Sequence, residues 1–545
     1  AVRILATQVG QGMPDGSTVI NELVHNIDIP AATAWEAPPI IPILGRQPLE
    51  PAMIERFIKY NGYHSQELSE EEKASYEKYF SPRLKNNPQA KLEQRRELDW
   101  LFEQKAAREP EHLDNVNQVV ESDQLLSDLP KDTRLMVCMA VGAAYESENI
   151  YRTLKLYSKQ DKTVLAKTVF VLNINWFDDD KNDPDKLQKI QKTLEEVNKI
   201  KSEFPQLQIA AFSQEYVREI MIKERGVSIH GQFIKDVHDV ALRSLQLSGI
   251  ESDVFMLSND ADCKGMSDDY LAKMLDEIEN HQDKDAFLGR IEWDTERWPD
   301  HPGFHLSVRF MQFLDVVCRY PSGNQSRHIP TSGANSMIKA SMLAAIGGVD
   351  PENNIGAGAD VNLGRRIKHA RGPRGQEAID YVHGAWLDTN GDRAFNYYSH
   401  GKSVVEMWSD FNQGGYKGRG EDGVGRTSQS GYQRYNGVSQ AGPQLKKDEH
   451  GNFVSESIDN NWDEIVDRFE HQINSGLMIY FGYDFKSWQR VLNFTFGNTR
   501  PARWVIKNGR VGITAAGNEW LKGQVVDFQA NNRQDTLYKR GGQRG

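Results

Sequence analysis

Cysteine is scarce in this sequence. Cys138, Cys263 and Cys318 are the three in 545 residues, and their spacing fits no zinc-ligand pattern. A disulfide-stapled or zinc-held scaffold is therefore excluded, and buried free thiols suited to a reducing compartment are expected. Long apolar runs are also missing. None approaches the roughly 18 residues that span a bilayer, and Ala1–Thr18 lack the basic-then-apolar layout of a secretory leader. A cytoplasmic location is the expectation. Basic excess is the third absence: a formal net charge of −12 gives no general footprint for nucleic acid or an anionic membrane. A local cationic pocket for phosphates stays compatible with it.

What is present is an ordinary globular composition, 39% hydrophobic and 26% charged, on a chain longer than one core normally serves. Residues 1–50 end in a proline-rich stretch, Pro30 through Pro51, which blocks regular helix and central strand and reads as an extended arm. Such an arm could reach a neighbouring subunit. Residues 51–130 read as a helical region: Met53, Ile54, Phe57 and Ile58 recur at helical spacing, as do Leu98, Leu101 and Phe102. Residues 131–400 alternate strands with helices. Residues 401–545 form an extension with a glycine-rich loop, Gly414–Gly425, whose first part, Gly414–Gly420, is flexible and cationic.

Within 131–400, short apolar runs at Leu135–Val141, Val169–Ile174, Leu207–Phe212 and Val254–Leu257 predict strands. The patterns at 149–158, 184–203 and 234–247 predict the helices between them. This order implies an α/β domain with a mostly parallel, Rossmann-like sheet covered by helices. Ligands on such sheets bind beyond the carboxyl ends of the strands.

Ser258-Asn259-Asp260-Ala261-Asp262 follows the fourth strand directly. Two carboxylates one residue apart on a turn can converge on one divalent cation, and hard oxygen donors suit Mg²⁺ or Mn²⁺. A solvated acidic turn is the plain alternative. Thr331-Ser332-Gly333-Ala334-Asn335 supplies small residues that let backbone approach a ligand. Further on, Asp360 opens a helix with Leu363 and Ile367 on its apolar face, where the helix dipole favours a carboxylate. A capping role is the alternative there.

The order of these pieces resembles the GT-A glycosyltransferases, in particular the large family 2 group and its polypeptide N-acetylgalactosaminyltransferase-like relatives. Met136–Ala140 with Ala144-Tyr145-Glu146-Ser147-Glu148-Asn149-Ile150 resembles their first strand and "AYNEEENI" turn. Asp260-Ala261-Asp262 matches their DxD motif. Gly333-Ala334-Asn335 through Gly347-Gly348-Val349-Asp350 resembles "GAN…GGFD", and Asp360, Leu363 and Arg366 match the "EDxDLxxR" helix. The resemblance covers about 250 residues. Ala359 and Asn362 stand where that helix has two further acids, and a longer path to the DxD motif implies an insertion around 177–232.

The resemblance implies a metal-dependent enzyme that moves a sugar from a nucleotide-diphosphate sugar, with UDP-sugar as the expected donor, to an acceptor nucleophile with inversion. Asp260 would meet the donor ribose and the metal, Asp262 the metal, and Asp360 would be the general base. The nucleotide would lie against Ala140–Tyr145, with Glu148 in that turn, Asn173 or Asn175 near the base, and Gly333, Ala334 and Asn335 alongside. Lys235 and Arg225 are candidate phosphate contacts. His383 is the candidate third metal ligand, with Asp388 and His400 as competitors. Two other readings remain open: a catalytically silent scaffold of the same fold, and a sugar nucleotidyltransferase. The acceptor is not legible.

Overall fold

The computed structural model describes residues 70–225, 229–293, 301, 303–308, 310, 334–349, 359–372, 378–389, 391, 394–395, 398, 446–447, 453–454, 462–481 and 484–530. The proline-rich arm, the Gly414–Gly425 loop, Gly333 and His400 lie outside the described residues.

The centre is an eight-stranded mixed sheet. Its strands are β1 (Leu135–Gly142), β2 (Thr168–Phe177), β3 (Gln208–Tyr216), β4 (Phe255–Asn259), β5 (Gly265–Met266), β6 (Ala286–Trp293), β7 (Asn335–Lys339) and β8 (Ile379–Thr389), in the order β3-β2-β1-β4-β7-β6-β8-β5. β1, β2, β3 and β4 pair in parallel. β7 is inserted antiparallel between β4 and β6, β6 and β8 are parallel again, and β5 closes the edge antiparallel to β8. The sheet is therefore mostly parallel, with β5 and β7 reversed. The stretch 177–232 is integral to it: it carries β3, an edge strand, together with the helices Pro184–Glu203 and Arg218–Arg225.

Both faces are covered, because the strands alternate apolar residues on each side. Leu135, Val137, Met139 and Val141 pack on one face against the helices Ile150–Tyr157, Pro184–Glu203 and Tyr270–Asn280. Met136 and Cys138 point to the other, where Leu98, Leu101 and Phe102 of the Gln94–Arg108 helix share a single cluster with Val237, Val240 and Ala241 of the Ile229–Ser248 helix. The described part of the helical region is thus a layer of the α/β unit. Local signals start these helices where they start. Asp183 caps the Pro184–Glu203 helix by accepting from Asp185 N and Lys186 N, with Pro184 in its first turn.

A further apolar cluster joins Phe304, Phe395 and Tyr398 to the helices Trp462–Phe481 and Phe485–Phe496 and to the hairpin of β11 (Trp504–Lys507) and β12 (Arg510–Ile513). The short pair β9 (Lys446–Lys447) and β10 (Phe453–Val454) lies before it in the chain. No helix among the described residues is long and apolar enough to cross a membrane.

Candidate functional site

The acidic turn leaves the sheet at the carboxyl end of β4. Asn259 is the last residue of that strand and is buried, whereas Asp260 and Asp262 are partly exposed. Asn259 is fixed by both ends of its side-chain amide. Its Oδ1 accepts from Tyr157 OH, and its Nδ2 donates to Tyr270 OH (3.1 Å) and to Ala334 O (2.9 Å). Tyr270 OH donates onward to Asn335 Oδ1 (2.7 Å). Asn259 and Asn335 are also register partners across β4 and β7. The acidic turn and the Ala334–Asn335 turn, 75 residues apart in sequence, are therefore locked to one another. Burial holds both tyrosine hydroxyls far above their ordinary pKa, so they act as neutral donors.

On the opposite face, fully buried His238 accepts from Ser258 Oγ at Nε2 (3.1 Å), while Nδ1 lies 2.8 Å from Ile234 O. A carbonyl only accepts, so the proton sits on Nδ1. Burial lowers the pKa of this histidine, and it braces β4 as a neutral group.

Cys263 is buried beneath the turn. Burial pushes its thiol pKa well up, and the charges of Asp262, Asp260 and Asp388 push in the same direction. Those three carboxylates therefore lie near enough to Cys263 for their charges to reach its thiol. Asp388 comes from β8, opposite Gly265 of β5, and a Cβ on Gly265 would stand 2.8 Å from Asp388 Oδ2. Glycine at 265 leaves room for that carboxylate. Among the described residues no group of three or more His, Cys, Asp or Glu is arranged to hold a metal ion. The donor set nevertheless suits a hard cation in kind: two carboxylates of one turn are what Mg²⁺ or Mn²⁺ takes when phosphates and water complete the shell. His383 lies in β8, five residues before Asp388.

The turn after β1 stands at the same end of the sheet. Tyr145 N and Glu146 N both donate to Gly142 O (2.8 and 2.9 Å), and Ala143 N donates to Asn175 O (2.8 Å). This tight turn presents Tyr145 at 47% exposure. Lys186 Nζ lies 5.5 Å from its ring centroid and 2.9 Å from Asp180 Oδ1, and Arg218 binds Asp179 and Asp180. Glu148 is exposed, 3.8 Å from Lys192 Nζ. Ala140 packs against the Phe177–Tyr216–Phe233 cluster.

Two expected ligand contacts sit elsewhere. Asn173 is fully buried, with Nδ2 donating to Tyr216 OH (3.2 Å) and Phe233 O (3.4 Å). A nucleotide base would have to open this cluster to reach it. Lys235 is buried between Asp239 Oδ2 (2.9 Å) and Glu109 Oε2 (2.7 Å), in a network that includes Lys105 and His112. Burial works against its charge, but Asp239, Glu109 and Asp236 outweigh that and raise its pKa. The phosphate role expected for Lys235 is therefore corrected to an internal ion network that joins the Gln94–Arg108 and Ile229–Ser248 helices. Arg225 ends the Arg218–Arg225 helix.

The Ala359–Ala370 helix carries Asp360 in its first turn. Its other motif residues point inward. Arg366 is 1% exposed and donates to Gly348 O (2.9 Å) and Ile346 O, fastening the Gly347-Gly348 turn. Both glycines have positive φ, and a Cβ on Gly347 would meet Tyr79 at 2.9 Å. Asn362 is also buried, accepting from Tyr76 OH at 2.5 Å. At the helix end, Arg371 grips Asp285 with two hydrogen bonds (2.5 and 2.7 Å), at the amino end of β6. Asp360 begins about 16 Å along the helix from that anchor.

Sequence reasoning passed over Thr153, Tyr157 and Tyr270, which hold the acidic turn. The signal was available: Thr153 and Tyr157 are one turn apart on a helix whose remaining buried residues are Ile150 and Leu154. Polar groups on an apolar stripe need partners at the sheet.

Searched against protein-family models the chain matches none, and no curated protein matches it significantly.

Proposed function

We propose that the chain is a metal-dependent glycosyltransferase of GT-A type, which moves a sugar from a nucleoside-diphosphate donor, with UDP-sugar as the expected one, to an acceptor nucleophile. The observation that carries this reading is the position of Asp260 and Asp262. They sit at the carboxyl end of a parallel strand, locked to the Ala334–Asn335 turn and at the same end of the sheet as the turn after β1. Ligands of α/β sheets bind at that end.

Asp260 and Asp262 would hold Mn²⁺ or Mg²⁺, with Asp388 and His383 as competing sources of a further ligand. When bound, the cation offsets the charge that gathers on the departing diphosphate. The turn Gly142–Tyr145 would receive the nucleoside, with Tyr145 offering an exposed ring and Lys186 a nearby cation. Asp360, in the first turn of a helix that favours its ionised form, would take the proton of the acceptor hydroxyl. The acceptor oxygen then bonds to the anomeric carbon from the face opposite the diphosphate. The bond from that carbon to the phosphate oxygen breaks, and the electron pair leaves with the nucleotide, giving inversion.

Asn362 does not weaken the reading. Its side chain is buried and accepts from Tyr76 OH, so it serves the packing of the helix.

The test is a thermal-shift series with nucleoside-diphosphate sugars, with and without Mn²⁺, on the wild type and on Asp262→Ala. A donor that binds the folded state raises the melting temperature in proportion to its occupancy. A Mn²⁺-dependent shift lost in Asp262→Ala is expected. Equal curves for every donor, with and without metal, would sink the reading.

A further inference from the structure

Thr153 is completely buried on the face of the Ile150–Tyr157 helix that meets the sheet. A buried helical threonine commonly returns its hydroxyl to the carbonyl one turn back in its own helix. Here that carbonyl, Asn149 O, accepts the backbone N–H of Thr153, and the hydroxyl goes elsewhere. Thr153 Oγ1 lies 2.7 Å from Ala261 O and 3.1 Å from Cys263 O. These are the residues on either side of Asp262. One hydroxyl proton shared by two carbonyls ties down the Ala261–Asp262 peptide unit and the Cys263–Lys264 unit beyond it, and so restrains the backbone from which the Asp262 carboxylate leaves the chain.

The same helix is tied to the turn after β1. Asn149 Nδ2 donates to Glu146 Oε2 (2.7 Å), and Arg152 NH2 donates to Asn149 Oδ1 (2.6 Å). Arg152 Nε makes a longer contact with Cys263 O (3.4 Å). A chain of side chains therefore runs from Glu146 to the acidic turn.

We propose that Thr153 is a positioning residue that sets the cation affinity of the Asp260–Asp262 turn, and that the Ile150–Tyr157 helix joins this turn to the one that receives the nucleotide. The proposal rests on the reading of that turn as a metal site. Thr153 touches no ligand, since it has no exposed surface; it acts through the backbone around Asp262. Partners of this kind behind metal ligands typically change metal affinity by about 10–100-fold when removed.

The experiment uses the full chain and Mn²⁺ alone, following the electron paramagnetic resonance signal of free Mn²⁺. Thr153→Val keeps the shape and removes the hydroxyl, Thr153→Ser keeps the hydroxyl, and Thr153→Ala tests the same loss should valine fail to fold. Asp262→Ala is the control for the site. Thr153→Val should weaken Mn²⁺ binding about tenfold or more, Thr153→Ser should restore it to within about twofold, and uridine binding without metal should be unchanged in both. A merely structural threonine would lower the melting temperature of Thr153→Val and leave its Mn²⁺ affinity at the wild-type value, which overturns the proposal and leaves the metal-site reading standing. Wild type and Asp262→Ala binding Mn²⁺ equally would overturn both.

Discussion

Glu470 offers a sharp test of the structure outside the candidate site. It lies in the Trp462–Phe481 helix with 2% of its surface exposed, and its Oε1 accepts from Ile513 N of β12 at 2.6 Å. One turn on, Asn474 donates to Val511 O (2.9 Å) and accepts from Val511 N (2.8 Å), so the helix holds β12 through side chains alone. Burial pushes the Glu470 carboxyl up to about 7; the Ile513 N–H and Arg510 oppose the rise, and Asp467 adds to it. An acid whose pKa is higher folded than unfolded binds its proton more tightly in the folded state. Its contribution to stability is full below the ordinary glutamate range and is lost as the pH rises towards 7. A rise from 4.5 to about 7 corresponds to about 3 kcal/mol at 1.36 kcal/mol per unit, as an order of magnitude. Glu470→Gln keeps the acceptor and cannot ionise. Its stability advantage over wild type should therefore grow by about 3 kcal/mol between pH 5 and pH 8. The assay is hydrogen exchange at the Ile513 amide, compared between the two proteins at each pH so that the intrinsic pH dependence cancels, with urea unfolding in parallel. A constant difference between Glu470→Gln and wild type from pH 5 to 8 would refute the reasoning.

Two further substitutions probe the sheet and its helical cover. Gly289→Ala would place a Cβ 2.3 Å from Asn335 Nδ2, in a side chain already held by Tyr270, and should cost about 1–3 kcal/mol in urea unfolding. Adding Asn335→Ala should cost less than the sum of the two single changes, and strict additivity would count against the contact. Asp239→Asn leaves Lys105 and Lys235 buried without their shared carboxylate and should destabilise by about 3–5 kcal/mol. The two lysines outweigh burial and hold Asp239 well below the usual carboxylate range. Its contribution is thus present at neutral pH and lost as the pH falls through its folded value, so the wild type and Asp239→Asn should converge in acid. A difference unchanged down to pH 3 would contradict this.

The strands that bear the site were legible because they are short apolar runs, and their ends were misjudged for a physical reason. β2 continues through Asn175, Trp176 and Phe177, and β4 through Ser258 and Asn259, where polar residues interrupt the apolar pattern. Those polar residues are buried because partners from distant sequence meet them: Tyr157 and Tyr270 at Asn259, His238 at Ser258. Periodicity reports burial of apolar groups and is silent about polar groups that are buried in pairs. Asn173 and Lys235 are taken up inside the protein for the same reason. Each looks like a surface group by type, and each is buried with hydrogen-bond partners, Tyr216 and Phe233 for Asn173 and Asp239 and Glu109 for Lys235.

The same logic separates the motif residues into two kinds. Arg366, Asn362, Gly347 and Gly348 are spent on one another's surroundings: the arginine on the carbonyls of the glycine turn, the asparagine on Tyr76, Gly347 on the close approach of Tyr79. Packing accounts for these residue types at these positions. Asp260 and Asp262 differ, because the groups that fix their turn act on its backbone, Ala261 O and Cys263 O, and on the preceding Asn259 side chain. The turn is thus braced through its backbone, with its two carboxylates partly exposed at the carboxyl end of a parallel strand.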